Sequence, residues 1–160
     1  MRELQIVDLD GCIADDRWRR HLIIPLAPGE KRWPDDHRRF EAYHRMIQYD
    51  RLANLHELKH HCTPVILTSR PLRYQEETMW WLREKGIKPL HIIFRNNNDL
   101  RTSVEVKRDM VGWLLNYNMY GIQREEVLDA IDDRKDIVQM YQKEFQLPAR
   151  VVQIANTEGD

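Results

Sequence analysis

The sequence predicts an α/β fold built on a five-stranded parallel sheet with helices on both faces. Short apolar runs suited to buried strands alternate along the chain with longer segments whose apolar residues recur at helical spacing. Strands separated by helices of this length form parallel sheets. At 160 residues the chain has the usual size of one domain, and no repeat or linker divides it. We therefore expect a single domain over residues 1–160.

Five apolar runs are predicted as the strands. The first ends in acidic residues, and Pro64 introduces the run at the centre of the second. The runs occupy residues 4–9, 62–68, 90–94, 127–131 and 151–154. Each is short enough for a strand that is buried on both faces.

Three amphipathic segments are predicted as the helices between the later strands. The first begins near Tyr74 and ends at Gly86, a residue typical of helix C-terminal caps. The second begins at Thr102, which forms a possible capping box with Glu105. The third runs from Ile137 through residue 145 and stops before a proline. Their spacing suits helices that lie on the faces of the sheet.

Residues 11–61 do not fit this alternation. Three prolines and a glycine between residues 25 and 34 predict a loop, and residues 35–60 suggest two helices with Asp50 as a cap between them. We interpret the segment as a small helical cap, inserted after the first strand and lying over the edge of the sheet.

The composition excludes several classes of protein. The net charge is −1, so the chain as a whole is not a polybasic nucleic-acid binder, although residues 17–45 are locally basic. Two cysteines, Cys12 and Cys62, make no disulfide framework and have no metal-ligand spacing. The first strand begins too early for a signal peptide, and no apolar run could span a membrane. We expect a soluble, cytoplasmic protein with reduced thiols and no membrane partner.

Polar side chains gather at the predicted carboxyl ends of the strands, where parallel α/β sheets bind their ligands. A lysine in the first turns of the helix after strand three is expected at the same edge. The candidate residues are Asp8, Asp10, Thr68, Ser69, Arg70, Arg95, Lys107, Asp132 and Asp133. Each signal is weak alone, since acidic pairs often lie in solvated turns. Their joint occurrence in this order favours a functional site.

These residue types suit phosphoryl transfer. An aspartate can attack phosphorus and form an aspartyl-phosphate, and a second carboxylate two residues on can protonate the leaving oxygen and then activate water. A hard cation such as Mg²⁺ would relieve the repulsion between crowded carboxylates. Lysine and arginine side chains would neutralise the charge that develops on the phosphate oxygens.

The motifs resemble those of the haloacid dehalogenase (HAD) superfamily. The stretch Asp8-Leu9-Asp10-Gly11 is similar to its first motif, and Thr68, Lys107 and the pair Asp132-Asp133 are similar to the second, third and fourth. Cys12 departs from the threonine or valine that is usual there. The closer resemblance is to the 3′-phosphatase domain of bacteriophage polynucleotide kinase-phosphatase and its stand-alone relatives. It covers nearly the whole chain, including Arg70, Arg95 and residues 130–140.

The resemblance implies a role for each candidate residue. Asp8 would be the nucleophile and Asp10 the general acid and base. Thr68, Ser69, Arg70, Arg95 and Lys107 would hold the phosphate, with Thr68 and Lys107 counted also as catalytic. Mg²⁺ would bind to Asp8, Asp132, Asp133 and a backbone carbonyl of Asp10. The kinase half of the bifunctional relatives is expected to be absent, because the chain has no Gly-x-x-x-x-Gly-Lys-Ser/Thr motif for ATP.

The sequence also contains one motif of a different enzyme class, and it is compatible with three functions. His56-Glu57-Leu58-Lys59-His60 fits the zinc-protease pattern, but no third ligand follows it, so we expect a helix that packs through its leucines. The favoured function is removal of 3′-phosphates from nucleic-acid ends, with Trp18, Trp33 and Tyr43 of the basic segment either gripping the strand or packing on the sheet. The alternatives are a phosphatase of free nucleotides and a non-catalytic binding module.

Overall fold

The computed structural model describes residues 1–23 and 37–155. The predicted loop between residues 25 and 34 and Trp33 therefore lie outside the described residues. Within these two ranges, seven strands and four α-helices follow one another in the order β1 (Leu4–Val7), β2 (Ala14–Asp15), α1 (His37–Arg45), β3 (Arg51–Leu52), β4 (Thr63–Pro71), α2 (Gln75–Glu84), β5 (His91–Arg95), α3 (Ser103–Leu115), β6 (Val127–Asp132), α4 (Lys135–Phe145) and β7 (Ala149–Val151).

Five of the strands form one parallel sheet in the order β5-β4-β1-β6-β7. Strand β1 lies at its centre, with β4 on one side and β6 on the other. In this register Val7 is paired with Ile66 of β4 and with Ile131 of β6. The residues that follow β1 therefore emerge between the ends of β4 and β6, and this order brings three sequence motifs to one edge.

Helices cover both faces of the sheet, as the sequence predicts. On one face, α3 and α4 pack through residues such as Met110 and Tyr141 against Ile6 of β1. On the other face, Trp81 of α2 packs in a second core with Val7. Alternate β1 side chains enter opposite cores because successive strand residues point to opposite faces. The two cores hold the site edge in a fixed place.

Four of the five predicted strands are confirmed with small changes at their ends, and the fifth is displaced. Residues 151–154 were expected to be the last strand, but β7 spans Ala149–Val151. Helix α4 ends at Phe145, so only a short connection precedes the sheet, and Ala130 already donates a backbone hydrogen bond to the Pro148 carbonyl. The strand therefore begins directly after the proline. The capping box of Thr102 and Glu105 on α3 is confirmed.

The second helix predicted within residues 35–60 is wrong. In the described part of this range, from residue 37 on, the one α-helix is α1; a 3₁₀-helix at Ile47–Tyr49, strand β3 and a 3₁₀-helix at Leu55–Glu57 follow it. Strand β3 pairs with β2 in a small antiparallel ribbon, so this part of the chain is extended. The local propensity of the leucines is overridden by this pairing. Leu55, expected to pack inward, is mostly exposed.

This correction removes the basis of the zinc-protease motif. His56 is the middle residue of a three-residue 3₁₀-helix, and His60 lies outside it, so the two do not share an α-helical face. The segment is instead tied to the sheet through Gln5 of β1, which donates to the Glu57 carbonyl at 2.8 Å and accepts from the Lys59 amide at 3.0 Å. Its role in the described structure is packing.

None of the helices in the described ranges is long and apolar enough to cross a membrane.

Candidate active site

A cavity of about 610 Å³ opens at the carboxyl edge of the sheet. All nine side chains predicted to form the site line it, namely Asp8, Asp10, Thr68, Ser69, Arg70, Arg95, Lys107, Asp132 and Asp133. Phe40 and His44 of α1 form part of its wall, so the insertion after β1 borders the cavity. A volume of this size suits a small ligand or one unit of a larger one.

Three carboxylates meet at the floor of the cavity. Asp8, Asp132 and Asp133 offer oxygen atoms that all lie within 4.8 Å of one another. The Lys107 ammonium donates to Asp8 at 2.7 Å and to Asp132 at 2.6 Å. Asp132 and Lys107 are fully buried, and Asp8 is nearly so. The buried Lys107 ammonium therefore lies among three acidic groups, and Arg20 lies close to Asp133.

The electrostatic consequence is a set of raised pKa values. Burial raises the pKa of Asp8 well above its ordinary value, and the charge of Asp132 raises it further, against the opposing effect of Lys107. Burial also raises the pKa of Asp133, to about 6. Burial by itself would lower the pKa of Lys107, but the charges of Asp132 and Asp8 outweigh it and raise that pKa well above its usual range. The lysine stays charged, and the carboxylates remain short of positive charge.

A tight turn after β1 brings the backbone close to this cluster. The amides of Cys12, Ile13 and Ala14 all donate to the Leu9 carbonyl. Gly11 has a φ of +79°, and a Cβ there would lie 2.5 Å from the Asp133 carboxylate. Only glycine fits without strain in such a conformation. Cys12, which differs from the family motif, is fully buried in the core and does not alter the carboxylates.

Asp10 is held by two arginines and lies outside the carboxylate cluster. Arg70 makes a two-point contact with it, from Nε at 2.9 Å and from its terminal nitrogen at 2.7 Å. Arg19 adds a bond of 2.8 Å. Burial would raise the pKa of Asp10, but the charges and hydrogen bonds of Arg70, with the charge of Arg19, lower it below its ordinary value. Arg70, predicted to hold phosphate, thus contacts the second carboxylate of the motif in this structure.

Sequence reasoning missed Arg19 and Asp50. Both side chains are fully buried, and Arg19 donates to Asp50 from two nitrogens, at 2.8 and 2.6 Å. Asp50 also accepts from the Trp18 indole at 2.9 Å. The sequence predicts Asp50 as a helix cap; its backbone caps the 3₁₀-helix at Ile47–Tyr49, and its side chain lies in the buried ion pair. The only sequence signal was the basic character of residues 17–45, which does not say which arginine turns inward.

The aromatic residues of the basic segment have different environments. Tyr43 is buried, its ring lies 4.0 Å below the Arg19 guanidinium, and its hydroxyl donates to Asp16 at 2.6 Å. It therefore packs inside the protein and is not available for base stacking, which was one of the two possibilities. Trp18 is nearly half exposed although its indole nitrogen is bonded.

The remaining predicted phosphate ligands lie along the β4 side of the cavity. The Thr68 hydroxyl is buried and accepts from the Arg70 amide at 3.1 Å, and Ser69 donates to Ser103 at 2.9 Å. Arg95 donates from Nε to the Ser69 carbonyl at 2.9 Å. One of its two terminal nitrogens donates to the carbonyls of Asp99 and Arg101. The Arg95 guanidinium therefore joins the loop after β5 to Ser69 of β4, and it also lines the cavity.

The fold is similar to that of solved hydrolase and phosphatase structures, one of them a HAD-superfamily hydrolase. No protein-family model and no curated protein sequence matches the chain. The likeness is found among solved structures. A HAD-superfamily hydrolase of subfamily IA from Geobacter sulfurreducens has a TM-score of 0.55 at 12% identity, over 94% of this chain and 89% of the other. A protein from Clostridium difficile that is assigned as a phosphatase has a TM-score of 0.58 at 14% identity, over 92% and 83%.

A higher similarity is found to a chain of the Pnkp1/Rnl/Hen1 complex. In one structure of that complex the TM-score is 0.66 at 20% identity, over 98% of this chain and 47% of the other. In a second, described as an RNA repair complex, the values are 0.64 and 21%, over 98% and 44%. The present chain thus spans about half the length of that relative.

Proposed function

We propose that this protein is a Mg²⁺-dependent phosphomonoesterase that forms an aspartyl-phosphate on Asp8 and removes 3′-phosphates from nucleic-acid ends. The observation that carries the proposal is the buried group of Asp8, Asp132, Asp133 and Lys107 at the floor of a cavity. A fully buried lysine shared by two carboxylates is costly to maintain. Such arrangements occur where charge must be controlled during a reaction.

The donor set fits a magnesium ion. Three carboxylates with oxygens within 4.8 Å of one another carry more negative charge than Lys107 neutralises. Mg²⁺ prefers oxygen ligands and binds through a few carboxylates together with phosphate oxygens. We propose Asp8, Asp132 and Asp133 as side-chain ligands, with the Asp10 backbone carbonyl as a further one. When bound, the ion would supply charge neutralisation for an anionic nucleophile that approaches an anionic phosphate.

The proposed reaction has two steps. In the first, an Asp8 carboxylate oxygen attacks phosphorus, the bond to the leaving oxygen breaks, and Asp10 gives that oxygen a proton. In the second, Asp10 takes a proton from water, the water oxygen attacks phosphorus, and the bond to Asp8 breaks to release phosphate. Lys107, Arg70 and Arg95 stabilise the charge on the phosphate oxygens.

The two arginines that contact Asp10 affect its protonation in the first step of the reaction. They favour the ionised carboxylate, which suits the second step, whereas the first step needs a protonated Asp10. A bound phosphate dianion adds negative charge beside Arg70 and opposes this effect. Substrate binding would therefore raise the pKa of Asp10 and prepare it as an acid.

Two observations support a nucleic-acid end over a free nucleotide. The fold is similar to that of a chain in an RNA repair complex, and several arginines line the cavity around the carboxylates. Phosphate groups of a strand are bound through such side chains. The free nucleotide stays as the second candidate, because a cavity of about 610 Å³ can hold a whole mononucleotide.

The test is release of phosphate with Mg²⁺ from a 3′-phosphorylated oligonucleotide and from a mixture of nucleoside monophosphates. Asp8→Asn keeps the shape of the side chain and removes the nucleophile, and Asp15→Asn is the control outside the cavity. We expect activity on the oligonucleotide that is lost in Asp8→Asn, kept in Asp15→Asn, and abolished by EDTA until Mg²⁺ is restored. Preference for the monophosphates would assign a nucleotidase. No release above Asp8→Asn from either would refute the enzyme and leave a binding module.

A further inference from the structure

Arg73 differs from the other cations that line the cavity. It follows β4 in a 3₁₀-helix at Leu72–Tyr74, and its side chain is exposed at the cavity wall. Among the described residues, its guanidinium has no carboxylate within ion-pair distance and no carbonyl partner, and its polar partner is the neutral Tyr74 side chain. It lies instead over two rings, 4.9 Å from the centre of Tyr74 and 5.7 Å from that of Phe40.

The other cavity cations already have partners. Arg20 is paired with Asp16 and Arg70 with Asp10. The list is completed by Lys107 with Asp8 and Asp132, Arg134 with Asp136, Arg101 with Asp99 and Asp109, and Arg95 with three backbone carbonyls. An incoming anion must compete with those carboxylates, or with the carbonyls at Arg95, whereas at Arg73 it competes with the neutral Tyr74 side chain.

The two rings also fix the position of Arg73. A guanidinium over an aromatic face is held by the charge distribution of the ring and loses less freedom when it then binds an anion. The Arg73 backbone amide donates to the Asn97 side chain at 2.7 Å, so the residue is joined to the loop after β5. The guanidinium is therefore an oriented anion receptor at the wall of the cavity, separate from the carboxylate cluster at its floor.

We propose that Arg73 binds a second phosphate of the substrate, the phosphodiester adjacent to the terminal nucleotide, and thereby selects a strand over a mononucleotide. The inference rests on the proposed function, since the terminal phosphate occupies the carboxylate floor. A mononucleotide has a single phosphate and leaves Arg73 without a ligand. A strand engages both places at once, and arginine is well suited to a phosphate oxygen pair.

The test compares two substrates that share one terminal group, thymidine 3′-monophosphate and a 3′-phosphorylated trithymidylate. Arg73→Gln removes the charge, and Arg83→Gln is the matched control, an exposed arginine on α2 that does not line this cavity. We expect Arg73→Gln to lower kcat/KM for the trinucleotide about tenfold, the size of one charged hydrogen bond at an accessible site, and to leave the mononucleotide within about twofold. The slope of log kcat/KM against log salt should become shallower by about one for the trinucleotide.

Each other result has a distinct meaning. An equal loss on both substrates would show that Arg73 supports the active-site structure and would overturn the proposal. No loss on either, or a similar loss in Arg83→Gln, would show that Arg73 does not receive the second phosphate. A wild-type enzyme that releases phosphate from neither substrate would contradict the proposed function itself, whatever the variant does.

Discussion

His44 predicts how the stability of the protein depends on pH. The side chain is 4% exposed and stacks on Tyr74, with ring centres 4.3 Å apart and an angle of 10° between the planes. Burial lowers its pKa to about 3, from an ordinary value of 6.5, despite the hydrogen bond to the Phe40 carbonyl. The folded protein therefore keeps His44 neutral where the unfolded chain would protonate it.

The sign and size follow from linkage. Below pH 6.5 the unfolded chain binds a proton that the folded protein does not bind until about pH 3. The stability that neutral His44 contributes is thus fully present above pH 6.5 and is lost as the pH falls from 6.5 to about 3. With these two pKa values, the loss between pH 8 and pH 5 is about 2 kcal/mol.

Urea unfolding at pH 8 and pH 5 measures this effect in the wild type and in His44→Gln. The variant loses stacking at both pH values, so the informative quantity is the difference between the two. We expect the free energy of unfolding to fall by about 2 kcal/mol more in the wild type than in the variant. His60→Gln, at an exposed position, controls for the removal of a histidine. Equal pH dependence in wild type and His44→Gln would refute a neutral, buried His44.

Three further changes test the site and the fold. Lys107→Met should lower the free energy of unfolding, measured by calorimetry in EDTA, by about 3–5 kcal/mol. Saturating Mg²⁺ should recover part of that loss. An equal loss with and without the ion would argue against a metal at the carboxylates. Gly11→Ala should abolish Mg²⁺ binding measured by calorimetry, because its Cβ meets Asp133. At Gly121, φ is +66° and an added Cβ would meet no atom within 4 Å apart from its chain neighbours. Gly121→Ala should therefore lower the free energy of unfolding by only about 1 kcal/mol and keep Mg²⁺ binding. Thr102→Ala should cost about 1 kcal/mol in urea unfolding by loss of the α3 cap; an unchanged midpoint would contradict the capping role.

The alternating part of the fold could be read from the sequence because its signals are local. Apolar runs, the Thr102 capping box and Gly86 each act within a few residues, and the structure confirms the parallel sheet and its helices. The displaced last strand shows where prediction from local sequence signals is least accurate. The start of β7 depends on how α4 ends and how Pro148 meets β6, a contact between elements that are already packed.

The insertion after β1 marks the other limit. Leucine spacing predicted a second helix there, whereas pairing of β2 with β3 and the hydrogen bonds of Gln5 hold the chain extended. Hydrogen bonds between residues tens of positions apart leave no periodic signal in the sequence. For the same reason the motif at His56 looked helical and is not.

By itself, the sequence determined the parallel sheet, its helices and nine of the residues that line the cavity, because strand ends and turn residues are encoded where they occur. Only the tertiary structure decided their partners. It placed Lys107 between two carboxylates, turned Arg19 inward onto Asp50 and Asp10, and left Arg73 over two aromatic rings. The two arginines differ in this way because burial and charge pairing depend on which distant groups the fold brings beside them.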